Sequence, residues 1–167
     1  MNGQVLTSAP DDPAPVAPLH VARLQDLRAR VGELLCTGPW VEIDQHRIDL
    51  FAQATDDHQW IHVDRARAAQ GPFGTTIAHG FLTLSLLPML FERALVIDDV
   101  RMGVNYGLNR VRFTAPVPVG SRLRGRFRLL GYEPLEGGAQ LVMEVTMELE
   151  GSSKPACVAE SVSRRYV

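Results

Sequence analysis

The chain has 167 residues, 46% of them hydrophobic, with 17 basic against 19 acidic side chains and a formal net charge of −2. That length predicts one domain with an ample core, and a balance without blocks of like charge argues against a nucleic-acid or membrane surface. The expected partner is a small molecule or another protein. Cys36 and Cys157 match no metal-ligand or redox spacing and read as small buried hydrophobes in a reducing, cytoplasmic compartment.

Residues 1–18 carry four prolines and the pair Asp11-Asp12, without a basic or an apolar targeting segment. They read as a disordered leader before a single domain over 19–167. Leu24, Leu27, Val31, Leu34 and Leu35 make a stripe that predicts a helix over 24–35. Pro39 to Ile43 reads as a short strand, and Asp44 as the N-cap of a helix with Ile48, Phe51, Ala52 and Thr55 on one side. Arg65 to Gln70 predicts a helical turn, closed by Gly71-Pro72 and Gly74.

Gly80 to Ala94 is apolar nearly all round, which predicts a helix buried on most sides; its apolar run, 81–91, is too short for a bilayer. The remainder turns to strands: 105–113, 123–129, 141–150 and 156–166, with a hairpin turn at Glu136-Gly137-Gly138. Met143, Val145, Met147 and Leu149 alternate with Glu144, Thr146, Glu148 and Glu150, the mark of a strand with one wet face. The expected class is α+β, a curved antiparallel sheet wrapped around a long central helix. Its open edges predict pairing between two copies.

The segment Thr55-Asp56-Asp57-His58-Gln59-Trp60-Ile61-His62, followed by Ile77-Ala78-His79-Gly80, carries the chemistry. Asp57 and His62 are five residues apart, about 140° around a helix and on opposite faces of a strand. They converge only if regular structure breaks between them. A helix ending near Asp57 and a loop carrying His62 would place a carboxylate and an imidazole around one water, the equipment of general acid–base chemistry. Gly80 offers a bare backbone amide at a helix start, a donor suited to a developing oxyanion. His58 and His62 would share a helical face as a metal pair only if Asp57 pointed away, and no third ligand is apparent, so no metal is expected.

These blocks resemble the hydratase signature of the R-specific enoyl-CoA hydratases and MaoC-like dehydratases, in particular a subgroup similar to nodulation protein N. Ala68 fits the small residue that closes the signature, Ile77-Ala78-His79-Gly80-Phe81 resembles the next block, and Arg112 to Gly120 resembles the strand and turn that follow. Two positions depart from the broader pattern: Asp56 stands where glycine is usual, and Gln59-Trp60 stand where Asn-Pro is usual, the second being shared with the subgroup. The resemblance implies a hotdog fold, a homodimer with the site near the subunit interface, an acyl thioester substrate and no cofactor. It implies the Gly80 amide as oxyanion donor; Asp57 and His62 act as one unit, either of them able to take the proton first, with Asp57 the favoured base and His62 the water orienter and proton shuttle. Because hotdog domains serve several chemistries, a thioesterase and a non-catalytic acyl-thioester-binding subunit stand as alternatives. Arg110, Arg112, Arg124, Arg126 and Arg128 alternate along strands and read as a solvated face, with one or two candidates for CoA phosphates.

Overall fold

The computed structural model describes residues 17–167, so the leader expected over 1–18 lies almost wholly outside the described residues. The chain enters on a short strand β1 (Leu19–Val21) and a 3-10 turn over Leu24–Arg30, then forms β2 (Leu34–Thr37) and β3 (Val41–Glu42). The helix expected over 24–35 is thereby corrected. Leu24 and Leu27 face the core as the stripe requires, but the turn ends at Arg30, and from Leu34 the backbone pairs antiparallel with a later strand. A tertiary ladder overrides the local helical pattern there.

Asp44 caps α1 (Gln45–Thr55), its carboxylate accepting from the Arg47 N–H at 2.8 Å. Two single-turn helices follow, α2 (Trp60–Val63) and α3 (Arg65–Ala68). The expected central helix is present as two segments, α4 (Gly80–Ser85) and α5 (Leu87–Ala94), joined at Leu86. Pro88 in the first turn of α5 has no N–H to give back to α4, which accounts for the interruption. Burial is also narrower than expected, because Phe81 is 70% exposed while Leu87, Leu90, Phe91 and Ala94 are buried.

After β4 (Leu95–Ile97), which pairs parallel with β1, the long strands β5 (Met102–Phe113), β6 (Arg122–Leu135), β7 (Gly138–Leu149) and β8 (Cys157–Tyr166) complete the chain. The main sheet runs β2-β6-β7-β8-β5, with β3 also paired to β6. One face carries Leu123, Phe127, Leu129, Met143, Val145 and Met147, all buried against the helical layer. At Gly125 the sheet admits the helix closely: a Cβ there would lie 2.6 Å from the Phe127 ring and 3.4 Å from the Leu90 side chain. This is the hotdog arrangement, a curved antiparallel sheet around a central helix.

The outer face carries the alternating arginines. Arg124 and Arg128 lie directly across from Glu148 and Glu144 on β7, and Arg110 lies across from Glu160 on β8; each reaches its carboxylate within 3.6 Å. Such half-exposed pairs contribute little to stability, about 0–1 kcal/mol each. Among the described residues no helix is long and apolar enough to cross a membrane.

Backbone strain falls at one non-glycine residue among those described, Asp56, whose φ of 57° and ψ of 18° end α1 in the left-handed region. Aspartate tolerates that region better than most residues but at a cost glycine does not incur. Asp56→Gly is expected to raise unfolding stability by about 0.5–1 kcal/mol, measured by urea denaturation. A destabilised variant would mean that the Asp56 side chain contributes more than its conformation costs.

Candidate active site

The left-handed turn at Asp56 lifts the chain out of α1 so that Asp57 follows at an exposed position, where its carboxylate accepts weakly from the Gln59 N–H at 3.4 Å. His62 comes back on the single turn of α2, a short helix rather than the expected loop, and is only 6% exposed. Three bonds fix that turn. Buried Gln45, at the start of α1, donates from Nε2 to the His62 carbonyl oxygen at 2.8 Å. The Ile77 N–H donates to the Ile61 carbonyl at 3.0 Å. The His62 ring nitrogen Nδ1 lies 2.7 Å from the Ile77 carbonyl oxygen.

A carbonyl only accepts, so Nδ1 carries the proton and, in the neutral ring, Nε2 keeps a lone pair. Burial is the largest influence on this imidazole and lowers its pKa below the ordinary 6.5; the Ile77 bond and the Asp57 charge oppose the shift, and nearby His79 adds to it. Neutral His62 is therefore the form favoured near neutrality.

Asp57, His62 and His79 each present an atom such that all three lie within 4.8 Å of one another. A single water spans a gap of that size with ordinary hydrogen bonds. The same trio invites the thought of a metal. Its imidazoles, however, are stacked, with centroids 3.7 Å apart and planes 23° from parallel, so their lone pairs run side by side instead of meeting at the vertex a metal ion needs. His58, the other histidine weighed with His62, lies before the first turn of α2 and outside that trio.

Gly80 is the first residue of α4, where N–H groups have no partner inside the helix and no side chain caps them. It opens onto a cleft of about 390 Å³ whose walls include His62, Ala78, Thr83, Phe113 and Val117. A Cβ on Gly80 would stand 3.0 Å from the Phe113 ring, so glycine lets that ring pack close against the start of α4. A second, mainly apolar cleft of about 330 Å³ runs between Leu84, Leu87 and Pro88 and the β5 residues Tyr106 and Leu108.

Beside Asp57, His62 and Gly80, the structure brings in two side chains that the sequence did not single out for the site. Gln45, in the first turn of α1, is buried, with its Oε1 accepting from the Thr76 hydroxyl at 2.5 Å. The ring of His79, the N-cap residue of α4, reaches across to both members of the pair. Nothing local betrays Gln45; the position of His79 inside the recognised block was the available signal. Of the arginines considered for CoA, Arg124 and Arg126 both hold Glu148, whereas Arg112 donates to the Val111 carbonyl.

A curved antiparallel sheet wound around a central helix, with His62 and Gly80 lining one cleft and the Asp57 carboxylate close to His62, defines a hotdog domain. The chain belongs to the MaoC-like domain family, whose sequence profile matches residues 26–151. It is 57% identical over 140 residues to 3-hydroxyacyl-thioester dehydratase Z of Mycobacterium tuberculosis, covering 83% of this chain and 93% of that one. To nodulation protein N of Rhizobium leguminosarum it is 50% identical over 149 residues, covering 87% and 92%. Among solved structures, an R-hydratase from Pseudomonas aeruginosa shares the fold with a TM-score of 0.63 at 23% identity, over 81% of each chain.

The lowered pKa of His62 has a consequence for stability. The unfolded chain binds a proton at this residue at higher pH than the folded chain does, so stability rises with pH across the interval between the two values. As pH falls through 6.5 toward the lower folded value, the wild-type protein is expected to lose stability that a His62→Gln variant retains. Parallel urea titrations at several pH values check this; identical pH slopes for the two proteins would contradict a buried neutral imidazole.

Proposed function

We propose that the protein adds water to trans-2-enoyl thioesters to give (R)-3-hydroxyacyl thioesters, and catalyses the reverse dehydration. The observation that carries this reading is the convergence of the Asp57 carboxylate and the buried His62 imidazole within 4.8 Å, beside a cleft that Gly80 lines. The relatives that cover most of the chain, one of them a 3-hydroxyacyl-thioester dehydratase, support it.

A water between the pair donates one hydrogen to the Asp57 carboxylate and the other to the His62 Nε2 lone pair, which leaves an oxygen lone pair free to attack. As the oxygen bonds to the β-carbon, Asp57 takes the proton and the C=C electrons move onto the thioester oxygen. The Gly80 N–H meets that charge where it develops. The proton then returns to the α-carbon from the same side, restoring the carboxylate. Every element of water is accounted for, and no redox or metal cofactor is needed.

The experiment is a spectrophotometric assay with crotonyl-CoA and longer enoyl-CoAs, with chiral analysis of the product. Asp57→Asn and His62→Gln are each expected to lower turnover by about 10²–10⁴, the usual scale of general acid–base catalysis, with folding intact by circular dichroism. Near-wild-type hydration in either variant removes the pair from the mechanism. Release of free thiol without loss of enoyl absorbance would point to a thioesterase, and tight binding without turnover to a non-catalytic subunit.

The working form is a cytoplasmic homodimer on this reading. Strand β5 is an edge of the sheet and is exposed along almost its whole length, with Met102, Val104, Tyr106, Leu108 and Phe113 all open. A long apolar edge strand is a pairing surface, and a second copy there would close the apolar cleft that Tyr106 and Leu108 help to form. Light scattering is expected to give the mass of a dimer for the wild type and of a monomer for Tyr106→Glu. A wild-type monomer would mean that a different chain covers β5.

A further inference from the structure

One buried side chain contacts both Asp57 and His62 without having a reacting atom assigned to it. His79 is 2% exposed. Its Nε2 lies 2.9 Å from the backbone carbonyl oxygen of Asp57, which makes Nε2 the protonated nitrogen. One face of its ring stacks on His62, and the Phe51 ring of α1 tilts against it at 5.0 Å. Its own backbone is the N-cap of α4, so the next peptide N–H is that of Gly80.

We propose that His79 is a positioning residue for the hydration reaction: its ring joins the Asp57 backbone and the His62 imidazole into one rigid unit and sets that unit at a fixed distance from the Gly80 amide. The inference rests on the hydratase reading above and deepens it. The physical need is specific. Asp57 is exposed and follows a strained left-handed residue, and its carboxylate has only a long 3.4 Å contact with the Gln59 N–H. His62 is braced by Ile77 and Gln45 at its edge and backbone, but the face of its ring needs a wall to stop rotation about χ2. His79 supplies both constraints from a buried position, and because it adjoins Gly80 the base, the shuttle and the oxyanion donor share one reference point. Its Nδ1 is buried without a hydrogen-bond partner, a cost that an apolar residue would avoid. A residue kept only for packing gains nothing from a ring with an unpartnered nitrogen; one that must donate from Nε2 does.

The test compares His79→Gln, whose Nε2 sits at the same distance along the side chain as the lost donor, with His79→Phe, which keeps a stacking ring and lacks the donor. Misplacement of reacting groups by about 1 Å costs on the order of 10²-fold in rate. The Phe variant is therefore expected to lose about 10–100-fold in kcat with KM changed by less than about 3-fold, while the Gln variant recovers most of that loss. Full turnover in the Phe variant overturns the proposal. Equal losses in both variants, tracking their melting temperatures, also overturn it, since that is the signature of packing alone. Were the Phe variant not to fold, the Gln variant decides alone: a loss beyond about 100-fold in a folded protein rules out the Asp57 bond as the working contact.

Ring signals of His62 by nuclear magnetic resonance separate failure of this inference from failure of the functional reading. A wild-type protein that hydrates no enoyl thioester sinks the reading. In that event a single sharp Nδ1–H signal for His62 in the wild type and the Phe variant, broadened in the Gln variant, which has no ring to stack on His62, still supports His79 as the positioning residue, and an unchanged signal in all three overturns it.

Discussion

The cleft depends on a reversal of backbone direction at Asp56. A helix that continued past Thr55 would carry Asp57 and His62 to different sides, and no side-chain rotation could bring them to one water. The left-handed conformation there ends α1 abruptly, and the following residues return through α2 so that His62 faces back toward the helix it has just left. The same conformation explains a puzzle in the resemblance. Glycine is usual at this position in the broader signature because the backbone must adopt a positive φ, and aspartate meets the requirement at some strain. The substitution therefore preserves the geometry, while placing a second carboxylate next to Asp57.

What braces the turn is polar and long-range. Gln45 lies 31 to 34 residues before Thr76, Ile77 and His79 in sequence, yet each of the four bonds to or stacks on the 57–62 segment or its immediate support. Residues 76–78 lie between two neighbours, held on one side by the Ile77 to Ile61 bond and on the other by bonds from Val119 to Thr76 and from Ala78 to the Val117 carbonyl. The site thus takes its rigidity from a buried network whose members must all be satisfied together.

This contrast decides what was legible in the sequence. Features written in local pattern could be read directly: the Asp44 cap, the alternation along β7, and the Gly-Gly hairpin turn between β6 and β7. So could the need for a break between Asp57 and His62, since it follows from periodicity alone. The helix expected over 24–35 failed at its second half because Leu34 and Cys36 find partners on β6 almost a hundred residues later, and no window of local sequence contains them. The pairing of β1 with β4 was invisible for the same reason. One helix over Gly80 to Ala94 followed from apolar content all round, whereas the missing N–H of Pro88 divides α4 from α5. Gln45 was illegible because a first-turn glutamine at a solvated site and one buried under a carbonyl look alike until the turn that covers it is placed.

The two cysteines have a meaning beyond packing. Burial pushes both thiols up to about 11, and neither is in a disulfide, so at neutral pH the fraction present as thiolate is on the order of one in ten thousand. Thiolates are the groups that exchange with thioesters. A protein whose proposed substrates are activated acyl groups on sulfur thus offers them little thiolate at either cysteine, because the packing that holds the sheet to its helix also keeps those thiols protonated.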